Sequence, residues 1–193
     1  MMNIIGIVGP FASGKGVVAD YLVKKCGYLS FSLSTIVHEE VKKKGITQYD
    51  RTILQNTGDE LRKKEGDGIL AQRAVQKFKG LNVQKIVIEG IRNPGEIAYL
   101  RTIPGFFLIA VDASQKVRYT RLLARAKPWD PKDWETFKRV DGRDSGDAKH
   151  TNGQQVRACM DLADVHLQNN TDLVHFHREI EKNLRHSCLM DSK

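Results

Sequence analysis

Short apolar runs alternate along this chain with longer stretches whose apolar positions recur at helical spacing, a pattern that predicts strands separated by amphipathic helices. Five runs read as strands: "NIIGIVG" at 3–9, "YLSFS" at 28–32, "KIVIEG" at 85–90, "FFLIAVDA" at 106–113 and "VHLQN" at 165–169. Helices are expected over 15–25, 34–44, 51–64, 69–79 and 115–126, with a closing helix over 173–184. That order argues for an α/β fold around a mainly parallel sheet. Two regions fit the alternation poorly, the helical stretch 34–80 and the polar stretch 127–153, rich in Asp, Lys, Arg and Gly. Both read as mobile attachments to a rigid sheet. No internal repeat or low-complexity linker interrupts the pattern, so 1–193 is expected to be one domain.

Composition narrows the picture modestly. A chain of 193 residues with 40% hydrophobic and 28% charged positions can bury a core of ordinary globular size. No apolar run approaches the ~18 residues of a membrane span. The opening "MMNIIGIVGP" has no basic leader, so it is read as a first strand and not as a secretion signal. Cys26, Cys159 and Cys188 are far apart and show neither metal spacing nor a disulfide framework, which points to a reducing cytoplasm. The six histidines show no zinc-ligand spacing either. The net charge of +8 suits a polyphosphate substrate as well as nucleic acid. Its sources are scattered ("KKK" at 42–44, "RKK" at 62–64, arginines from Arg118 to Arg143), so nucleic acid is a possible partner but not a favoured one.

The segment "GPFASGKG" at 9–16 follows a predicted strand and opens a predicted helix. In that context Gly9 and Gly14 let the backbone curl until successive N–H groups face one concavity. The helix directs its positive end there, and Lys15 supplies a point charge for β- and γ-phosphates. Gly9, Ala12, Ser13, Gly14, Lys15, Gly16 and Val17 are therefore the candidate ATP-phosphate site. The Ser or Thr that usually follows the lysine as a magnesium ligand is replaced by Gly16, followed by Val17. Mg²⁺ keeps several waters in most phosphate sites, so a water-mediated site remains feasible. The run "KIVIEGIRNPGE" at 85–96 ends a strand with Glu89 and sets Arg92 three residues on. A carboxylate there can hold magnesium-bound water, and the arginine can clamp an acceptor phosphate.

Together, "GPFASGKG" and "EGIRN" resemble the P-loop nucleotide kinases, which include adenylate kinases, deoxynucleotide monophosphate kinases and dephospho-CoA kinase. "GDELRKKEGDGIL" at 58–70 and "LADVHLQNN" at 162–170 extend the resemblance over nearly the whole chain. It implies a three-layer P-loop NTPase fold with a five-stranded mainly parallel sheet, a helical acceptor-binding insert at 34–80 and a lid at 127–153. ATP and Mg²⁺ would be the cofactors, with Glu89 as the metal residue. By resemblance Arg62 joins Arg92 in gripping the acceptor phosphate, and Asn170, beside Asn169, borders adenine. Arg125 and Arg143 become lid charges on the transferring group, while Arg121 and Arg139 are structural partners. Where such kinases often have an aspartate and an arginine, this chain has Thr35 and His38. The implied activity is transfer of the γ-phosphoryl group to a nucleoside or deoxynucleoside monophosphate. Two alternatives stay open: a dephospho-CoA kinase-like enzyme, and an ATP-binding switch or assembly factor that contacts RNA or protein.

Overall fold

The computed structural model describes residues 2–79, 81, 83–146 and 153–189, with side chains described to 184. Among the described residues there are five strands: β1 (Asn3–Val8), β2 (Leu29–Ser32), β3 (Lys85–Ile91), β4 (Phe107–Asp112) and β5 (Val165–Gln168). They pair in the order β2-β3-β1-β4-β5, and every pairing is parallel. Ile4, Ile5, Ile7 and Val8 of central β1 are at most 2% exposed, because helices cover both faces of the sheet. The expected three-layer α/β architecture is the one observed.

Alternation along β3 divides the core. Ile86 and Ile88 face a layer containing α2 (Leu33–Lys43) and α4 (Ile69–Phe78), whereas Val87 faces α1 (Lys15–Cys26) and α9 (Leu173–Leu189). Glu89 continues the Val87 face, which carries it toward the phosphate-loop side. The register then slips: Ile7 pairs with Glu89 but Val8 pairs with Ile91. Gly90 is the extra residue, at φ +78, and the bulge returns Ile91 to the apolar layer of Ile86 and Ile88. The bulge turns the chain as it leaves the strand, beginning with Arg92.

The stretch 34–80 folds as α2, α3 (Arg51–Glu65) and α4; Gly80 lies outside the described residues. Three helices were not anticipated: α5 (Pro94–Leu100), α7 (Trp134–Ser145) and α8 (Val156–Asp161). The stretch expected to be a polar attachment packs through α7, whose Phe137 is fully buried against Phe11, Tyr119 and Trp134. Residues 147–152 of that stretch lie outside the described residues. The remaining helix, α6 (Gln115–Arg125), precedes it. Cys159 is free and buried, but Cys26 is disulfide-bonded, a correction to the reading of cysteine spacing and to its support for a reducing compartment. Packing brings thiols together, and spacing along the chain does not report it. Among the described residues no helix is long and apolar enough to cross a membrane.

Candidate active site

The loop between β1 and α1 lies at the carboxyl edge of the sheet, with the α1 N-terminus beneath it. Two glycines are obligatory there. A Cβ on Gly9 (φ +148) would collide with the carbonyl of Val111, and one on Gly14 (φ +106) with the amide of Asn169. Ala12 holds φ +62 without being glycine, a local strain of the kind that collects at ligand sites. Asn169 braces the loop from below: its Nδ2 donates to the Ser13 carbonyl at 2.8 Å, and its Oδ1 accepts from Arg121 at 3.0 Å. Asn170 is exposed, and its Oδ1 accepts from the Ser114 amide. The Ser13 hydroxyl is buried without a partner among the described residues, an unmet polar group inside the phosphate loop.

Lys15 donates to the carbonyls of Gly9 and Pro10 at 2.7 and 2.8 Å. The residue as a whole is only part-buried, but its ammonium end lies deep against the loop. Burial, reinforced by the Arg92 charge, lowers its pKa to about 7, although Glu89 and Asp144 oppose the shift. Glu89 has a light hydrogen bond, accepted from the Ser30 hydroxyl at 3.2 Å. Around Gly16 there is open space, so the missing hydroxyl leaves a gap that solvent can enter. No group of three His, Cys, Asp or Glu side chains among the described residues is placed to hold a metal. A magnesium ion would therefore come mainly with the nucleotide phosphates, and Glu89 fits the role of holding its water.

Arg92 donates through Nη1 to Asp144 at 2.6 Å and to Gln154 at 2.7 Å. Asp144 is 1% exposed and also accepts from Gln55 on α3, so it ties the insert, α7 and the end of β3 together. Arg62 is equally buried. Its Nε and Nη2 reach Glu96 at 3.0 and 2.8 Å, and its Nη1 faces Asp59. The other Glu96 oxygen accepts from the backbone of Arg92 and Asn93 within an α5 capping box. Arg62 thus borders the cleft while its charge is matched inside the protein, and it acts on the loop carrying Arg92.

A second arginine pair shares one carboxylate. Asp130 accepts from Arg125 at 2.7 and 2.9 Å and from Arg51 at 2.8 Å, joining the segment before α7 to α3. Burial would raise the Asp130 pKa, but the two arginines hold it below the usual carboxylate range. Arg143 stands outside this arrangement. It is 38% exposed and pairs with Asp59. Arg139 is exposed, and Arg121 serves the phosphate loop. Arg118, buried at the base of α6, holds α7 through Asp141.

The structure brings Ala12, Lys15, Arg62, Glu89, Arg92 and Arg125 to the wall of one cleft of about 240 Å³ and leaves Gly9, Ser13, Gly14, Gly16, Val17, Arg143 and Asn170 off that wall. It adds Arg51, Gln55, His38 and Trp129 to that wall, and Asp130 and Asp144 hold its arginines without lining it. Sequence reasoning noted His38 only as a departure from the kinase pattern and passed the others over, since a carboxylate in a polar stretch looks solvated until its partners are known. The capping signal at Asn93, Pro94 and Glu96 could have revealed α5.

A family model described as an AAA domain matches residues 5–150. UPF0200 protein PH1008 of Pyrococcus horikoshii is 32% identical over 184 residues, covering 93% of this chain and 94% of its own. A UPF0200 protein of Thermococcus sibiricus is 31% identical, with 93% and 92% covered. Among solved structures, TT1252 from Thermus thermophilus superposes with a TM-score of 0.58 at 20% identity, covering 100% of this chain and 99% of that one. Shikimate kinase from Acinetobacter baumannii in complex with shikimate gives 0.58 at 15% identity, with 100% and 97% covered. A gluconokinase from Sinorhizobium meliloti 1021 gives 0.57 at 14%, with 97% and 94% covered. The fold is that of P-loop kinases.

Proposed function

Because the chain belongs to the AAA-domain family of P-loop NTPases, among the UPF0200 proteins, we propose that it transfers the γ-phosphoryl group of ATP to a nucleoside or deoxynucleoside monophosphate. One observation carries the reading: Lys15, Arg92 and Arg125 converge with Glu89 on a single cleft beside a braced phosphate loop. In the reaction an acceptor oxygen bonds to the γ-phosphorus as the bond to the β,γ-bridging oxygen breaks, and ADP leaves. Little covalent work falls to the protein, so positioned cations and a water-excluding cleft supply the catalysis. The phosphate loop holds the nucleotide, Lys15 and Arg125 meet the transferring group, and Glu89 would hold a Mg²⁺ ion through its water, the ion supplying charge neutralisation on the phosphates. Arg92 meets the acceptor anion, and Arg62 supports it through Glu96.

A phosphate acceptor suits this cleft better than a hydroxyl once Glu89, the carboxylate on its wall, is assigned to the water of the metal ion. A hydroxyl nucleophile usually needs a carboxylate to take its proton. Where β2 ends, Ser32 and Ser34 hydrogen-bond each other, while Glu39 and Glu40 are engaged by Lys77, Lys43 and Arg73. Asp144 is near enough to influence Lys15, yet both of its oxygens are taken by Gln55 and Arg92. A coupled ADP-release assay over nucleoside monophosphates, deoxynucleotides and dephospho-CoA, with Lys15→Ala alongside, tests the reading. Turnover with at least one monophosphate, lost in Lys15→Ala at an unchanged melting curve, is expected. Faster transfer to dephospho-CoA than to every monophosphate would replace this reading with the hydroxyl-kinase one. ATP binding without transfer to any acceptor would favour the switch.

A further inference from the structure

Beyond the phosphate loop the cleft runs into a wall that the transfer chemistry leaves unused. His38 of α2 lies with Nδ1 2.9 Å from the Tyr49 hydroxyl, and its ring centroid is 4.8 Å from that of Trp129. Trp129 in turn stacks on Tyr49 at 6.1 Å and 16°. Burial, together with Arg51, Lys127 and Lys42, lowers the His38 pKa, so the imidazole is a neutral flat ring near neutral pH. His38 and Trp129 both border the cleft. Arg51 stands between this wall and the phosphate loop, with its guanidinium 4.8 Å over the Phe11 ring.

Arg51 is 8% exposed and only partly matched. Its Nη2 donates to Asp130 at 2.8 Å, but its Nε is buried with no partner among the described residues. The Nε itself is closed to solvent, but Arg51 lines the cleft, so an anion there meets a guanidinium charge that the protein has matched only in part. Asp130 is shared with Arg125, so the pair of guanidinium groups exceeds the one carboxylate between them. Arg62, by contrast, has no unmet nitrogen in the same cleft.

We propose that Arg51 and the His38–Trp129 wall form the acceptor subsite, with Arg51 receiving an anionic oxygen and the wall stacking a planar heteroaromatic ring. The acceptor is then a nucleotide with its base, and neither a sugar phosphate nor a free sugar. This inference rests on the reading of the cleft as an ATP-dependent transfer site.

Trp129 and Trp134 are the two tryptophans of the chain, and Trp134 packs in the α7 core, so Trp134→Phe leaves Trp129 as the reporter. In that background, AMP, CMP, UMP, ribose 5-phosphate and inorganic phosphate are titrated with a non-hydrolysable ATP analogue bound. At least one monophosphate should quench Trp129 and bind roughly 5- to 150-fold more tightly than ribose 5-phosphate, the range that one base–aromatic stack supplies. A separate calorimetric series uses Trp129→Leu, which should abolish that preference and leave ribose 5-phosphate affinity unchanged. Arg51→Gln should weaken every phosphate-bearing acceptor about tenfold or more, well beyond any change in analogue affinity. Arg51→Lys, which keeps the charge beside Asp130, should weaken them less; it stands in for Arg51→Gln should that variant melt early. Equal affinity for monophosphates and ribose 5-phosphate, or full preference in Trp129→Leu, overturns the subsite with analogue binding intact. Failure of the wild-type protein to bind the analogue would overturn the transfer reading itself.

Discussion

The lowered pKa of Lys15 makes nucleotide binding a proton-linked event. In the empty cleft the ammonium is shielded and shares the site with Arg92, which brings its pKa to about 7. Bound β- and γ-phosphates would replace the missing solvation with negative charge and move the pKa back toward the ordinary lysine range. As pH rises through 7, free Lys15 loses its proton while nucleotide-bound Lys15 keeps it. Binding above pH 7 must then take up a proton and weaken as pH rises. The free lysine is about half protonated at pH 7 and roughly 1% protonated at pH 9, so affinity should fall about fiftyfold over that interval, approaching about 1.4 kcal/mol per pH unit. Calorimetry at pH 8 in buffers of different ionisation enthalpy should register about 0.9 proton taken up per MgATP analogue. At that pH the terminal phosphate is already deprotonated and His38, lowered from its ordinary value, is neutral, so neither contributes. Lys15→Gln should bind weakly with no proton uptake. Tight binding by the wild-type protein with near-zero uptake at pH 8 would refute the account of the Lys15 environment.

Three further outcomes test the rest of the site. The open space around Gly16 means that Gly16→Ser adds a hydroxyl without a clash, so the Mg²⁺ concentration for half-maximal rate should fall several-fold, whereas Glu89→Gln should raise it; unchanged values in both variants would contradict the metal assignment. Arg125→Ala should lower kcat on the order of a hundredfold with little change in ATP affinity, because Arg125 borders the cleft, and the exposed Arg143→Ala should change kcat less than about threefold; a pure KM effect in Arg125→Ala would make it a ground-state contact. Phe137→Ala should cost about 3–5 kcal/mol in denaturant unfolding, since the ring is fully buried against Phe11, Tyr119 and Trp134; a loss under about 1 kcal/mol would mean that α7 unfolds apart from the cooperative core.

Local order was legible from residue spacing alone. The five strands and the helices α1–α4, α6 and α9 follow from apolar periods of two and of three to four, which neighbouring residues enforce without reference to the rest of the chain, whereas α5, α7 and α8 did not show in that pattern. The phosphate loop was equally legible, because Gly9, Gly14 and Lys15 owe their roles to backbone conformation and to one charge at a helix end. What escaped is where polarity was put to structural use. In α7 the positions 134, 137, 140, 141 and 144 share a helical face, but Asp141 and Asp144 occupy two of them and broke the apolar stripe. Both are buried beside arginines, from positions 118 and 92.

The same limit governs the site. Arg51 and Asp130 lie 79 residues apart and Arg92 and Asp144 lie 52 apart, so nothing local marks either pair as a pair. An isolated arginine or aspartate on a helix is by default a solvated surface charge. Only the crossing of α3, α7 and the end of β3 removes water from these groups, matches Arg62 to Glu96, and leaves the Arg51 Nε without a partner among the described residues. Sequence by itself determined the five strands, the six strongly periodic helices and where a phosphate can be cradled, since those depend on short-range backbone and periodic constraints. Tertiary structure decided which charges are consumed in holding the fold and which are left for a ligand, because that depends on desolvation and on partners distant in the chain.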